Sequence, residues 1–222
     1  VGVGDPNAVI RASTFCDEMG MDTISAGATI AWAMESFERG LITLEDTGGI
    51  DLRFGNAEAV IECLQMIAKR DGIGNLLAEG SLRAARCVGG GSDAWAMQVK
   101  GLEMPGYEPR SLKTMALGLA VSTKGACHNR SSAYEADFSA RVDRFSADDA
   151  RGQITMDGED FSAVLDSLIW CKFLRKAFDD FYGESASVFQ QITGYPITPD
   201  ELKLAGERIN NMKKLFNIRE GW

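Results

Sequence analysis

The sequence is poor in the residues that build metal and disulfide frameworks. Its 222 residues hold one histidine and five cysteines, and no two cysteines form a C-x-x-C pair. Cys16, Cys63, Cys87, Cys127 and Cys171 are widely spaced and odd in number. That argues against a secreted disulfide scaffold and for a reducing, cytoplasmic compartment. The same scarcity excludes a His-rich metal site and leaves no local motif that completes a zinc or iron–sulfur centre. Long hydrophobic runs are also missing. Residues 26–34 are interrupted by Thr29, and residues 116–121 run into Ser122 and Thr123, far short of the ~20 residues of a membrane span. Positive charge is in deficit: 23 Lys and Arg stand against 32 Asp and Glu, a net charge of −9. Such a surface repels phosphate backbones, so nucleic acid is not an expected partner. No P-loop, G-x-G-x-x-G or G-x-S-x-G occurs, and Gly89-Gly90-Gly91 lacks the following Lys-Ser/Thr of a phosphate loop. No signal-peptide pattern opens the chain. The abrupt start at Val1-Gly2-Val3-Gly4 and end at Glu220-Gly221-Trp222 read as those of a piece of a longer protein.

What is present is a 45% hydrophobic fraction with helical periodicity. Asp5-Pro6 predicts an N-cap and first helical position, with the helix running to Met19 and ending at Gly20. Asp22 caps a second helix that ends at Gly40, and residues 41–55 are turn-rich. Asn56 caps an amphipathic helix with Val60, Ile61, Leu64 and Ile67 on one face. Further helices are expected over residues 76–88, 111–122 and 160–181. Residues 94–99 read as extended, and residues 129–158 as a polar loop. Thr198-Pro199-Asp200-Glu201 is a capping box, opening a last helix that buries Leu202, Ala205, Ile209, Met212 and Phe216. The expected fold is all-α and multihelical, with two helical subdomains, 1–97 and 98–222.

Three clusters could carry chemistry. In Cys16-Asp17-Glu18-Met19-Gly20-Met21-Asp22, two carboxylates flank a glycine turn. Asp17 at a helix C-terminus opposes the dipole, so it calls for a partner outside its own helix; the plain alternative is an ordinary helix–Gly–N-cap junction. Lys124-Gly125-Ala126-Cys127-His128-Asn129-Arg130 holds the single histidine, a proton-transfer group near neutral pH, two residues before a guanidinium suited to anions. The alternative is a helix end whose His and Arg complement its dipole. Asp166-Ser167-Leu168-Ile169-Trp170-Cys171-Lys172-Phe173 repeats the spacing of the first cluster, with Asp166 and Cys171 where Asp17 and Asp22 stand. On an unbroken helix, residues five apart point apart, and the alternative is a partly exposed Asp on an amphipathic face. The segment KGLEMPGYEPR at 100–110 forbids regular helix and adds Glu103, Tyr107, Glu108 and Arg110.

Taken together, CDEMGMDTISAG at 16–27, GNAEAVIECLQMIAKRDGIGNLLAEG at 55–80, KGLEMPGYEPR, KGACHNR and DSLIWCKF at 166–173 resemble the aldehyde:ferredoxin oxidoreductase family of tungsten (or molybdenum) bis-pterin enzymes, in family order. The resemblance covers nearly the whole chain. It implies two multihelical subdomains that pack in the family on an N-terminal β-rich domain, absent here. Asp17 and Asp22 resemble the pterin-binding motif D-x-x-G-L-D, with Met21 for Leu. Asp166 and Cys171 resemble D-x-x-G-L-C, whose cysteine is the fourth ligand of a [4Fe–4S] cluster. Here Ile169 and Trp170 stand where Gly and Leu are usual. His128 resembles the family's active-site histidine, Arg130 a residue that reaches the pterin, and Cys127 a further candidate near the metal.

The resemblance implies oxidation of a small aldehyde to a carboxylic acid, with electrons passing through the cluster to ferredoxin or another carrier. It implies that cofactor and cluster are held only by the full-length protein, that these 222 residues alone are inactive, and that exposed apolar surfaces favour association, a homo-oligomer included. Two rivals stay open: a benzoyl-CoA-reductase-type subunit of the same family, and a helical interaction module without cofactor.

Overall fold

A computed structural model describes residues 1–139 and 142–221. Among these residues it holds eleven α-helices, two short 3-10 helices and one two-stranded ribbon, the multihelical fold the sequence predicts. The chain divides into two compact units, Val1–Gly106 and Tyr107–Trp222. No described helix is long and apolar enough to cross a membrane.

The first unit begins with α1 (Pro6–Met19) and α2 (Thr23–Glu38). After a turn-rich stretch come α3 (Ala57–Lys69), α4 (Ile73–Leu77) and α5 (Ser81–Val88). A 3-10 turn at Ser92–Trp95 leads to β1 (Gln98–Val99) and β2 (Leu102–Glu103), paired antiparallel. The predicted caps form: Asp5 accepts from the Asn7 N–H, Asp22 from Ser25 and Asn56 from Ala59. Ile30, Trp32, Met34, Leu52 and Cys63 are sealed in the core. Burial, with the nearby Glu62 charge second, pushes the Cys63 thiol up to about 12. The single helix expected over residues 76–88 is two helices. Gly80, at φ +84°, breaks it, and the buried Glu103 carboxylate accepts from the Ser81 N–H (2.7 Å) and hydroxyl (2.9 Å). Glu103 thus caps α5 from 22 residues away and holds the ribbon, which lies beyond the expected division at 97/98, to the first unit.

The second unit contains α6 (Lys113–Val121), α7 (His128–Ser131), α8 (Tyr134–Asp137) and α9 (Ala150–Ser167). A 3-10 turn at Lys172–Lys176 precedes α10 (Phe181–Thr193) and α11 (Pro199–Arg219). Phe161, Val164, Leu165, Phe181 and Leu202 form its core. The polar loop expected over residues 129–158 instead contains α7, α8 and the first half of α9; Ala140 and Arg141 lie outside the described residues. Its polarity hid the helices because the inward residues are themselves polar and paired. Asp137, fully buried, accepts from the Thr114 and Met115 N–H groups at the start of α6 (3.2 and 2.8 Å). Arg151 of α9 binds Asp137 at 3.0 Å and also donates to the Thr114 hydroxyl and the Asp143 carbonyl.

The helix expected over residues 160–181 is likewise interrupted, between Ser167 and Lys172. On α11 the Thr198–Glu201 capping box forms as expected. Leu202 is buried, and Gly206 lies so close to α9 that a Cβ there would meet the Asp160 carbonyl at 2.5 Å. Met212 and Phe216, expected in the core, are instead 72% and 54% exposed. The second half of α11 is held by polar bonds: Lys214 donates to the Val121 carbonyl and Asn217 to the Thr123 carbonyl.

The Asp137–Arg151 pair gives a direct test. Removing one partner of a buried ion pair strands the other charge and costs about 3–5 kcal/mol. Asp137→Ala should lower the denaturant midpoint of the second unit accordingly, while Asp148→Ala, at the exposed end of the network, should change it by less than about 1 kcal/mol.

Candidate active site

The site residues sit on two turns and one short helix. The first turn ends α1. Gly20 takes the left-handed conformation (φ +67°, ψ 31°); its N–H bonds the Asp17 carbonyl and the Met21 N–H bonds the Cys16 carbonyl. This double bond satisfies the last carbonyls of the helix. Two residues on, Asp22 (φ −69°, ψ 121°) starts α2, and one carboxylate oxygen takes the Ser25 N–H at 2.7 Å. Asp17 is exposed, and no described group hydrogen-bonds or ion-pairs with its carboxylate. It keeps the unpartnered, dipole-opposed state that called for an outside donor.

The second turn, after α9, repeats this geometry. Ile169 is left-handed (φ +60°); its N–H bonds the Asp166 carbonyl at 3.2 Å and the Trp170 N–H bonds the Leu165 carbonyl at 3.0 Å. Cys171 (φ −60°, ψ 130°) then heads the 3-10 turn as Asp22 heads α2. Asp166 and Cys171 are therefore placed by a reversal of the chain, not by a continuous helix. Ile169 adopts the glycine conformation despite its branched Cβ and points into solvent, 90% exposed. The left-handed region costs an L-residue roughly 1–2 kcal/mol, and nothing buried offsets it.

Helix α7 carries His128 and Arg130. It lies close to α6 and α9 because Gly118 and Gly158 present no side chain to Ser131: a Cβ on Gly118 would collide with the Ser131 hydroxyl, and one on Gly158 with its carbonyl. Arg130 reaches the second turn, donating to Asp166 at 2.9 Å. Its Nε is buried without a partner, a donor left over for a ligand. Lys172 donates to the Asn129 carbonyl (3.0 Å) and to the buried Ser162 hydroxyl (2.8 Å), and burial holds its ammonium below the usual lysine range. His128 is half-buried beside Tyr107 and Tyr134, at ring-centroid distances of 5.5 and 5.9 Å, and the two tyrosines stack on each other at 4.9 Å. Cys127 is half-buried.

A cleft of about 450 Å³ opens at Arg130, bounded by Lys124, Lys213 and Phe216. Burial and the Arg130 charge both hold Lys213 below its usual range. Exposed Met212 and Phe216 line this cleft.

Of the KGLEMPGYEPR residues, Tyr107 joins the histidine, Glu103 is structural, and Glu108 pairs with Arg110 on the surface. The structure thus brings His128, Arg130, Asp166 and the Cys171 turn together in the second unit and puts Asp17 and Asp22 on a matching turn in the first. Lys172, Lys213 and Tyr134 were missed by sequence reading. Only Lys172, adjacent to Cys171, carried a usable signal.

These residues fit the cofactors the motifs imply. Cys171 is a free, exposed thiol beside Lys172. Among the described residues no group of three or more His, Cys, Asp or Glu could hold a metal ion. Cys171 is therefore suited to supply one ligand to a cluster whose other ligands come from outside these residues. Asp17 and Asp166 offer acceptors to ring N–H groups, and the Arg130 Nε offers a donor.

Residues 1–222 match the family described as aldehyde ferredoxin oxidoreductase, domains 2 and 3. The chain belongs to the aldehyde ferredoxin oxidoreductase family. The tungsten-containing aldehyde ferredoxin oxidoreductase of Pyrococcus horikoshii is 35% identical over the whole chain, which covers 37% of that protein. An aliphatic sulfonate oxidoreductase, WOR-like subunit, of Pyrococcus furiosus is 29% identical, and the chain covers 33% of it. The chain thus spans about a third of the length of these relatives. A solved structure, the active-site complex BamBC of benzoyl coenzyme A reductase with 1,5-dienoyl-CoA, shares the fold at a TM-score of 0.74 and 21% identity, over 98% of this chain and 39% of that one.

The left-handed Ile169 yields a prediction. Ile169→Gly should stabilise the second unit by about 1 kcal/mol, the relieved strain exceeding glycine's extra unfolded-state freedom. Thermal unfolding reads this as a higher midpoint; a lower one would mean that residue 169 is not left-handed.

Proposed function

We propose that this chain forms the helical part of a tungsten (or molybdenum) bis-pterin oxidoreductase that converts a small aldehyde to a carboxylic acid and passes electrons to ferredoxin or a similar carrier. The observation that carries the reading is the pair of matched turns. Each reverses the chain through a left-handed residue, and they present Asp17 with Asp22 and Asp166 with Cys171. Family membership and the tungsten enzymes among the relatives support the same conclusion.

Asp17 and Asp166 each accept hydrogen bonds from one pterin, and Arg130, oriented by Asp166, donates its remaining N–H groups to the second. Cys171 ligates the [4Fe–4S] cluster. When bound, the metal and cluster would supply the redox chemistry. The balance is aldehyde plus water to carboxylate, with two electrons and three protons released. His128 accepts one of these protons from the reacting water or hydrated aldehyde. Its imidazole packs beside the stacked Tyr107 and Tyr134 rings.

A second reading, a coenzyme A thioester as substrate, is supported by the shared fold with the benzoyl coenzyme A reductase complex. The aldehyde reading rests on the higher identity to the aldehyde enzymes.

Metal, pterin and iron analysis of the full-length protein, purified without oxygen, tests the proposal. Tungsten or molybdenum with about two pterins and about four irons is expected. Cys171→Ser should lose the iron while keeping the fold, and His128→Ala should lower aldehyde oxidation by about 10²–10⁴-fold with metal retained. Folded protein without metal, pterin or iron would establish the interaction module instead. Turnover of an aromatic acyl-CoA but no aldehyde would establish the thioester reading.

A further inference from the structure

The turn that carries Cys171 is tied to the helix that carries His128 by bonds of unlike kinds. Arg130 and Asp166 form an ion pair on one side of the turn. On the other side Lys172 donates to the Asn129 carbonyl at 3.0 Å and to the Ser162 hydroxyl at 2.8 Å. Ser162 is 1% exposed and also reaches the Asn129 carbonyl, at 3.3 Å. Farther along the same 3-10 turn, Arg175 pairs with Glu135 of α8 at 2.5 Å. The segment is otherwise weakly held: Phe173 is 87% exposed, and no residue of Lys172–Lys176 is buried. Its apolar side chains therefore do not fix it; its cations do.

We propose that Lys172 is a positioning residue: by bonding the Asn129 carbonyl of α7 and the Ser162 hydroxyl of α9, it fixes Cys171 relative to the His128–Arg130 helix and keeps a positive charge on the residue that follows the cluster ligand. The inference rests on Cys171 being that ligand. An ammonium donating to a carbonyl and a buried hydroxyl orders the stem of the side chain, and with it the backbone of the adjacent residue. A fixed cation near an iron–sulfur cluster also favours the reduced, more negative state. Sequence alone shows only a lysine after a cysteine; the target of its ammonium, 43 residues away at Asn129, comes from the fold.

The test uses full-length protein with Lys172→Met, which keeps the stem and removes the charge, and Ser162→Ala, which removes one acceptor. Hydrogen–deuterium exchange across residues 171–176 should quicken by at least about tenfold in Lys172→Met and by less in Ser162→Ala, with exchange in α11 unchanged. The cluster should be retained, with a potential shifted negative by a roughly two- to tenfold change in its redox equilibrium, tenfold being about 59 mV for one electron. A purely structural role would cost stability or iron content and leave the potential of the retained cluster in place. Unchanged exchange, or an unchanged potential with the cluster intact, overturns the proposal. If wild-type protein holds no cluster, the cofactor reading falls by itself, and exchange alone then decides whether Lys172 positions the turn.

Discussion

The backbone conformation of one residue, left-handed at the end of a helix, governs how this protein presents its candidate site residues. An α-helix leaves its last carbonyls unpaired, and a left-handed residue closes two of them while turning the chain sharply. At Gly20 and at Ile169 that reversal moves the fifth residue after the helical Asp onto a new element, so that a carboxylate and a second polar side chain flank one tight bend. Had either helix continued, Asp166 and Cys171 would lie on different faces. The other supports of the second unit act around this bend. Arg130 closes on Asp166, Lys172 on Asn129, and Ser131 fits between two glycines.

The turn is not in itself unusual. Helix α3 ends the same way, at Arg70 with φ +53°. What distinguishes the two candidate-site turns is their content: an Asp whose carbonyl anchors the turn, and an Asp or Cys that opens the next element. At α3 the corresponding positions are Ile67 and Gly72, which can hold no ligand. Geometry is thus shared widely, and chemistry is assigned by side chain.

Much of this was legible in the sequence. Caps with a short-range signature, Asp5-Pro6, Asp22, Asn56 and the Thr198–Glu201 box, predict their helices correctly because one side chain satisfies a backbone donor two or three residues away. The repeat of Asp17–Asp22 spacing in Asp166–Cys171 was also readable. What escaped depends on distant partners. Glu103 breaks the 76–88 helix from across the first unit, and Asp137 with Arg151 converts a polar stretch into packed helices. Ile169 misled because a branched residue seldom adopts φ > 0; the sequence showed a helix-compatible residue where the fold needs a turn. Met212 and Phe216 kept helical spacing, but their face lines a charged cleft rather than the core.

The central claim is that two like-built turns each grip one half of a paired cofactor. A crystal structure of the full-length protein loaded with metal and cofactor, grown without oxygen, tests it most directly. The account predicts Asp17 within hydrogen-bond distance of one pterin, Asp166 and Arg130 at the other, and the Cys171 thiolate bonded to iron. A structure in which either carboxylate faces solvent or protein alone, with the cofactor held elsewhere, would contradict it.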